Sequence, residues 1–171
     1  MANSKVILIV NCGSSSLKYA LIRMPEREQL GKGLVERIGL EMGHLEQKAN
    51  GKVYEVNQKI ETHKVAMELV MKAITDAEKG IIKDTKEIAA IGHRVLHGGQ
   101  YYYDSIVVNN DVKKAIKDCF ELGPLHNPAN LMGIEACEAA MPGIPNVAVF
   151  DTAFGMAMPE KAYLYAIPHE Y

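Results

Sequence analysis

A chain of 171 residues is long enough for one domain with its own core, burying roughly two-thirds of its unfolded surface. Hydrophobic residues make up 48% and charged residues 23%, which excludes a largely disordered chain, and no apolar run is long enough to cross a bilayer. Lys and Arg number 19 against 21 Asp and Glu, a formal charge of −2 without a long basic run, so nucleic acid is not an expected partner.

The first apolar run, Val6–Val10, is too short for a secretory leader and leads directly into the polar turn Asn11–Ser16. A second run, Leu17–Ile22, is followed by Met24-Pro25 and reads as the returning strand of a hairpin. Gly33–Ile38 is the next expected strand, and His44–Lys48 with Val53–Val56 form the arms of a second hairpin around Asn50-Gly51, a strong turn signal. The period then changes: Val65, Leu69, Ala73 and Ala77 share one stripe, predicting a helix from Glu61 to Lys79 that stops at Gly80. Its Met67 and Met71 are expected as core filler. A short strand at Ile88–Ile91 precedes Gly92–Gly99, and an amphipathic helix at Asp111–Leu122 ends at Gly123-Pro124. Asn127 is placed as an N-cap before Pro128, opening a helix to Met141, and Val147–Phe150 is a buried strand with Asp151 at its carboxyl end. Strands first and alternating helices and strands afterwards give the α/β class.

Within this frame several residues carry chemistry. The turn offers Asn11, the hydroxyls of Ser14, Ser15 and Ser16, backbone N–H groups freed by Gly13, and the Lys18 cation, a set suited to phosphate oxygens and a hydrated magnesium ion. It lacks the Walker pattern, and Ser/Gly turns between strands are also ordinary loops. Arg94 could pair in two-pronged fashion with a carboxylate or phosphate, or be a surface arginine. His93 and His97 have the spacing of a zinc pair on a helix, but they fall at a strand end with no third ligand at hand. His126 precedes a helix start, where partial positive charge favours an anion, although a lone histidine is more often a solvated loop residue. Asp151 stands where open α/β sheets place ligand-binding groups, or else serves as a turn aspartate. Cys12, Cys119 and Cys137 are odd in number and scattered, which points to reduced thiols and a cytoplasmic location. A Ser/His hydrolase is disfavoured because Ser14–Ser16 lie on no Gly-x-Ser-x-Gly elbow.

The segments VNCGSSSLK, GHRVLHGG, GPLHNPAN and VAVFDTAF, in this order and at these intervals, resemble the acetate kinases over nearly the whole chain. Propionate kinases share most of the pattern and butyrate kinases part of it. The resemblance implies the sugar kinase, Hsc70 and actin fold (ribonuclease H-like), here its N-terminal α/β domain, a mixed sheet with flanking helices. It implies phosphoryl transfer between ATP and acetate with magnesium, in an enzyme that is a homodimer at full length. By matching position it makes Asn11 a magnesium ligand, Lys18 an ATP contact, and Ser14 and Ser16 parts of the phosphate loop. Arg94 would hold the substrate carboxylate, Leu96 and Leu125 would wall its methyl group, His126 would face the transferred phosphoryl, and Asp151 would be the acid at the reaction centre. Gly155 departs from the family, which commonly has histidine there.

Family members continue into a second domain that supplies the adenosine pocket, a further histidine and arginine, and a glutamate for magnesium. Residues 1–151 are therefore expected to form the N-terminal domain and residues 152–171 the start of the second, poorly anchored or borrowing contacts from another copy. An apolar face normally covered by the missing part would then be exposed and prone to self-association. The function expected is acetate kinase, with propionate kinase or a non-catalytic phosphate-binding module as alternatives. Acetate is ionised at neutral pH, so no base is needed to make the nucleophile, and Asp151 is expected to orient magnesium or water.

Overall fold

A computed structural model describes residues 4–168 and 170. The chain order is β1 (Lys5–Cys12), β2 (Ser16–Met24), β3 (Glu28–Glu36), β4 (Gly43–Ala49), β5 (Lys52–Gln58), α1 (His63–Ile74), β6 (Ile88–Val95), β7 (Ile106–Val107), α2 (Asn110–Asp118), α3 (Asn127–Ala140), β8 (Asn146–Phe150) and α4 (Glu160–Tyr163). Short 3-10 turns lie at Thr85–Glu87 and Asp151–Gly155. The strands form one mixed sheet in the order β5-β4-β3-β2-β1-β6-β8-β7. β1, β6 and β8 are parallel neighbours, and the remaining pairs are antiparallel.

Alternation along the strands decides which face is covered. Leu8, Val10 and Cys12 of β1 and Leu17, Tyr19 and Leu21 of β2 point to one side and pack with Met67, Val70, Ala73 and Ile74 of α1 and Cys137 of α3. A second cluster joins Val95, Ala148 and Phe150 to Val112 and Ile116 of α2 and Ile134 of α3. The opposite face is left bare by the described helices: Ile9 is 42% and Val149 47% exposed. Every residue from Met156 to Pro168 is also exposed.

The expected strands all occur, most of them longer than read, and Asn50-Gly51 forms the hairpin turn with φ of 52° and 72°. Two helices end early, the first for a visible reason. The α1 helix was expected to reach Lys79 but stops at Ile74, because Asp76 Oδ1 accepts the N–H groups of Glu78 and Lys79 and draws the chain into a side-chain-bonded turn. The α2 helix begins one residue early, capped by Asn109, and ends at Asp118 instead of Leu122. Strand β7 was not anticipated, since two residues carry no periodicity.

One buried polar group ties the sheet to α1. Tyr19 lies opposite Gly33, and Gly33 opposite Gln47, so the Tyr19 ring passes over a position without a side chain and its hydroxyl donates to Gln47 Oε1 at 2.9 Å. The Gln47 amide then donates to the carbonyls of Ala73 (2.7 Å) and Lys79 (3.1 Å), satisfying the helix end. Gln47 is fully buried, and burial pushes the Tyr19 phenol pKa upward. Replacing Gln47 with Leu orphans one hydroxyl and two carbonyls, which is expected to cost about 2–4 kcal/mol. Urea unfolding should show a lower midpoint at unchanged slope, and Tyr19→Phe should add less to the Leu variant than to wild type.

Candidate active site at the carboxyl ends of three parallel strands

Because β1, β6 and β8 run parallel and adjacent, their carboxyl ends deliver three loops to one sheet edge. The first is Gly13–Ser15, between β1 and β2, with Ser14 and Ser15 exposed and Ser16 half-buried. Asn11 stands directly opposite Lys18 in the β1–β2 ladder. Both belong to the bare face, where they line a groove of about 470 Å³ together with Ile9, Ala20 and Gly33.

The second loop leaves β6 after Arg94 and Val95, and the third begins at Asp151. Arg94 Nε lies 3.0 Å from Asp151 Oδ2 and 3.2 Å from Oδ1, and its Nη2 reaches Oδ2 at 2.5 Å, a two-pronged guanidinium–carboxylate pair. Both side chains are about 40% exposed, so the pair adds little to stability and its partners are open to exchange. Asp151 is fixed by its neighbours: Phe150 stacks on Tyr102 with centroids 5.7 Å apart, and the Thr152 hydroxyl accepts the Gly98 N–H at 3.3 Å.

Two asparagines of α3 hold these loops, and sequence reasoning assigned neither role. Asn130 donates to the Cys12 carbonyl at 2.8 Å and accepts the Leu96 N–H at 3.1 Å, joining the ends of β1 and β6. Asn127, expected as an N-cap, is instead buried: it accepts the His97 N–H and donates to the carbonyls of His97 and Ile116. The N-cap position falls to His126, whose side chain makes no capping bond. The only sequence signal for this clamp is the three-residue interval between Asn127 and Asn130, which puts both on one face of α3. Gly133, one turn on, permits the approach, since a Cβ there would overlap Cys12 Sγ.

Leu96 lies against Gly123, where an added Cβ would meet its Cδ2 at 3.0 Å. Gly123 opens the turn that carries Leu125 and His126, with the His126 N–H on the Gly123 carbonyl at 3.1 Å. Leu125 is 75% exposed and His126 is also exposed, at the start of α3. No side-chain hydrogen bond joins His126 to Arg94 or Asp151 among the described residues. Asn11, Ser14, Ser16, Lys18, Arg94 and Asp151 thus share one sheet edge, with Leu96, Leu125 and His126 on the adjoining turns.

The two histidines of Gly92–Gly99 have structural partners. His97 Nδ1 accepts the Gly99 N–H at 2.9 Å, and His93 Nε2 donates to Asn146 Oδ1 at 2.7 Å, with the Asn146 amide turned the other way to Ile144. All three cysteines are free and buried, and burial pushes the Cys12 thiol up to about 12. No helix of the described residues is long and apolar enough to cross a membrane.

A family model for the acetokinase family matches residues 6–171. The chain belongs to the acetokinase family. It is 56% identical over 164 residues to an acetate kinase of Clostridium botulinum (strain Hall), a match covering 96% of this chain and 41% of that protein. Among solved structures, Porphyromonas gingivalis acetate kinase superposes with a TM-score of 0.91 at 41% identity, covering 97% of this chain and 42% of that one. A propionate kinase from Francisella tularensis gives 0.83 at 40% identity over the same shares. The chain therefore spans about two-fifths of the length of the relatives it matches, and its fold is the mixed-sheet domain of the sugar kinase, Hsc70 and actin class.

Desolvation lowers the His93 pKa below its ordinary 6.5 and outweighs the opposing influence of the Asn146 bond. The unfolded chain protonates near that pH and the folded chain resists, so this contribution to stability is complete above pH 6.5 and declines as pH falls below it. Urea melts between pH 7 and pH 5 should show that decline in wild type. A His93→Gln variant, which keeps a donor for Asn146 without the titration, should show a shallower one.

Proposed function

We propose that this chain is the N-terminal part of an acetate kinase, which transfers a phosphoryl group between ATP and acetate to give acetyl phosphate and ADP. The observation that carries the reading is the Arg94–Asp151 pair: a guanidinium beside a donor-rich loop already grips a carboxylate in the geometry an acyl substrate would use. Arg94 would take the acetate carboxylate, screening it from the phosphates and aiming one oxygen at the terminal phosphorus for in-line attack. Ser14, Ser16 and the loop N–H groups would hold phosphate oxygens, and Lys18 would neutralise further charge. Leu96 and Leu125 would wall the methyl group, and His126, at a helix start, would donate to the moving phosphoryl.

Magnesium fits the donor set at this edge, because the Asn11 carboxamide and the Asp151 carboxylate are hard oxygen ligands carried by strands on either side of β6. When bound, the ion would neutralise charge on the phosphate chain. Acetate needs no deprotonation, so Asp151 would act by orienting rather than as a base. Residues 1–151 are proposed as the N-terminal domain and 152–171 as the start of the second, in an enzyme that is dimeric and cytoplasmic, the latter in keeping with three free thiols. Propionate remains the second substrate reading, favoured by the similarity to a propionate kinase.

The test traps acyl phosphate with hydroxylamine from this chain mixed with a separately expressed remainder of a full-length relative, supplied with acetate and magnesium ATP. Activity is expected on mixing and not from the chain alone, and Arg94→Ala should lower it by about a hundredfold or more. An Arg94→Ala mixture as active as wild type would overturn the assignment.

A further inference from the structure

His63 opens α1, is 6% exposed, and takes no part in the reaction as proposed above. Its Nε2 lies 2.8 Å from the carbonyl oxygen of Gly13, fifty residues earlier, in the loop that faces the sheet edge. A carbonyl only accepts, so His63 Nε2 carries the proton and donates.

The bond completes a pattern in that loop. The Cys12 carbonyl accepts from Asn130, the Gly13 carbonyl from His63, the Ser15 carbonyl from the Ile38 N–H, and the Ser16 carbonyl from the Gly13 N–H. Each is drawn inward, onto protein. In a trans peptide the C=O and the following N–H point in opposite directions, and the Gly13–Ser14 peptide is trans. Anchoring the Gly13 oxygen therefore aims the Ser14 N–H outward. The Ser14 and Ser15 N–H groups take no acceptor among the described residues, and both residues are exposed. An anion binds to a surface of donors and is repelled by carbonyl oxygens, so the direction of this one peptide sets the sign of the local field. Glycine at position 13 has the freedom to flip it, and the flip would turn an acceptor toward the ligand.

We infer that His63 is a positioning residue for anion binding: it holds the Gly13–Ser14 peptide with its N–H toward an incoming phosphate chain. The inference rests on the reading of Gly13–Ser15 as a phosphate loop. The donor is supplied by a helix whose own start is fixed by the Thr62 cap on Val65, so the loop is oriented by a rigid element.

The test uses the 171-residue chain labelled with ¹⁵N and titrated with magnesium tripolyphosphate, following the Ser14 amide resonance for His63→Gln, His63→Leu and His63→Asn. Gln places an amide donor where Nε2 stands, whereas Leu removes the donor and Asn is too short to reach Gly13. His63→Gln should bind within about threefold of wild type, while Leu and Asn should each weaken binding about tenfold or more and shift the free Ser14 resonance. Should the Leu variant fail to fold, the Asn variant, which keeps a polar helix start, gives the same reading. Wild-type affinity in the Asn or Leu variant would overturn the inference, as would a Gln variant as weak as the others, which would mark packing as the cause. Absence of tripolyphosphate binding in wild type would instead overturn the phosphate-loop reading on which it rests.

Discussion

The carboxamide of Asn130 joins the ends of β1 and β6 beyond the last pair of their own ladder, Val10 opposite His93. Its donor side takes the Cys12 carbonyl and its acceptor side the Leu96 N–H, in a site where the side chain is 2% exposed. Buried away from water, both backbone groups would otherwise be left unpaired, so the amide is required in this orientation and no apolar residue of the same size replaces it. The loop after β1 and the loop after β6 are thus set against each other by one side chain on α3. Gly133 on the same helix allows the close approach, and Asn127 repeats the arrangement one turn earlier for His97. The helix acts as a clamp across the mouth of the sheet.

That clamp gives the electrostatics their meaning. With the carbonyls of Cys12, Gly13, Ser15 and Ser16 turned onto Asn130, His63 and backbone donors, the edge near β1 presents N–H and hydroxyl groups, and Lys18 adds a full charge opposite Asn11. On the neighbouring strand β6, the Arg94 guanidinium is matched by Asp151, which follows β8. The edge is therefore electropositive where phosphates are proposed to lie and neutralised where a carboxylate is proposed to enter. A substrate carboxylate would replace Asp151 on Arg94, which leaves the Asp151 oxygens to other partners such as a divalent cation. Exposure of both side chains keeps that exchange easy, since a surface ion pair is worth little on its own.

Local chemistry made much of this fold readable from the chain. Asn50-Gly51 marks its hairpin because only such residues take the left-handed turn cheaply, and the apolar runs Val6–Val10 and Leu17–Ile22 mark the first two strands. The four ordered motifs pointed to the acetokinase family, and the family match covers the same stretch. What stayed hidden depends on partners distant in sequence. Asn127 looks like an N-cap until the His97 backbone is found beside it, and Asn130 and His63 bond to atoms 118 and 50 residues away. The early end of α1 follows from Asp76 bonding its own downstream backbone, a competition that an apolar stripe continuing through Ala77 conceals.

The most direct measurement is residue-resolved amide exchange in an Asn130→Leu variant. If one carboxamide sets both loops, the Gly13 and Leu96 amides should gain exchange rate together, while the Val10 and Ile91 amides within β1 and β6 keep wild-type protection. Unchanged protection at either Gly13 or Leu96 would contradict the clamp, because it would show that the two strand ends are held independently of each other.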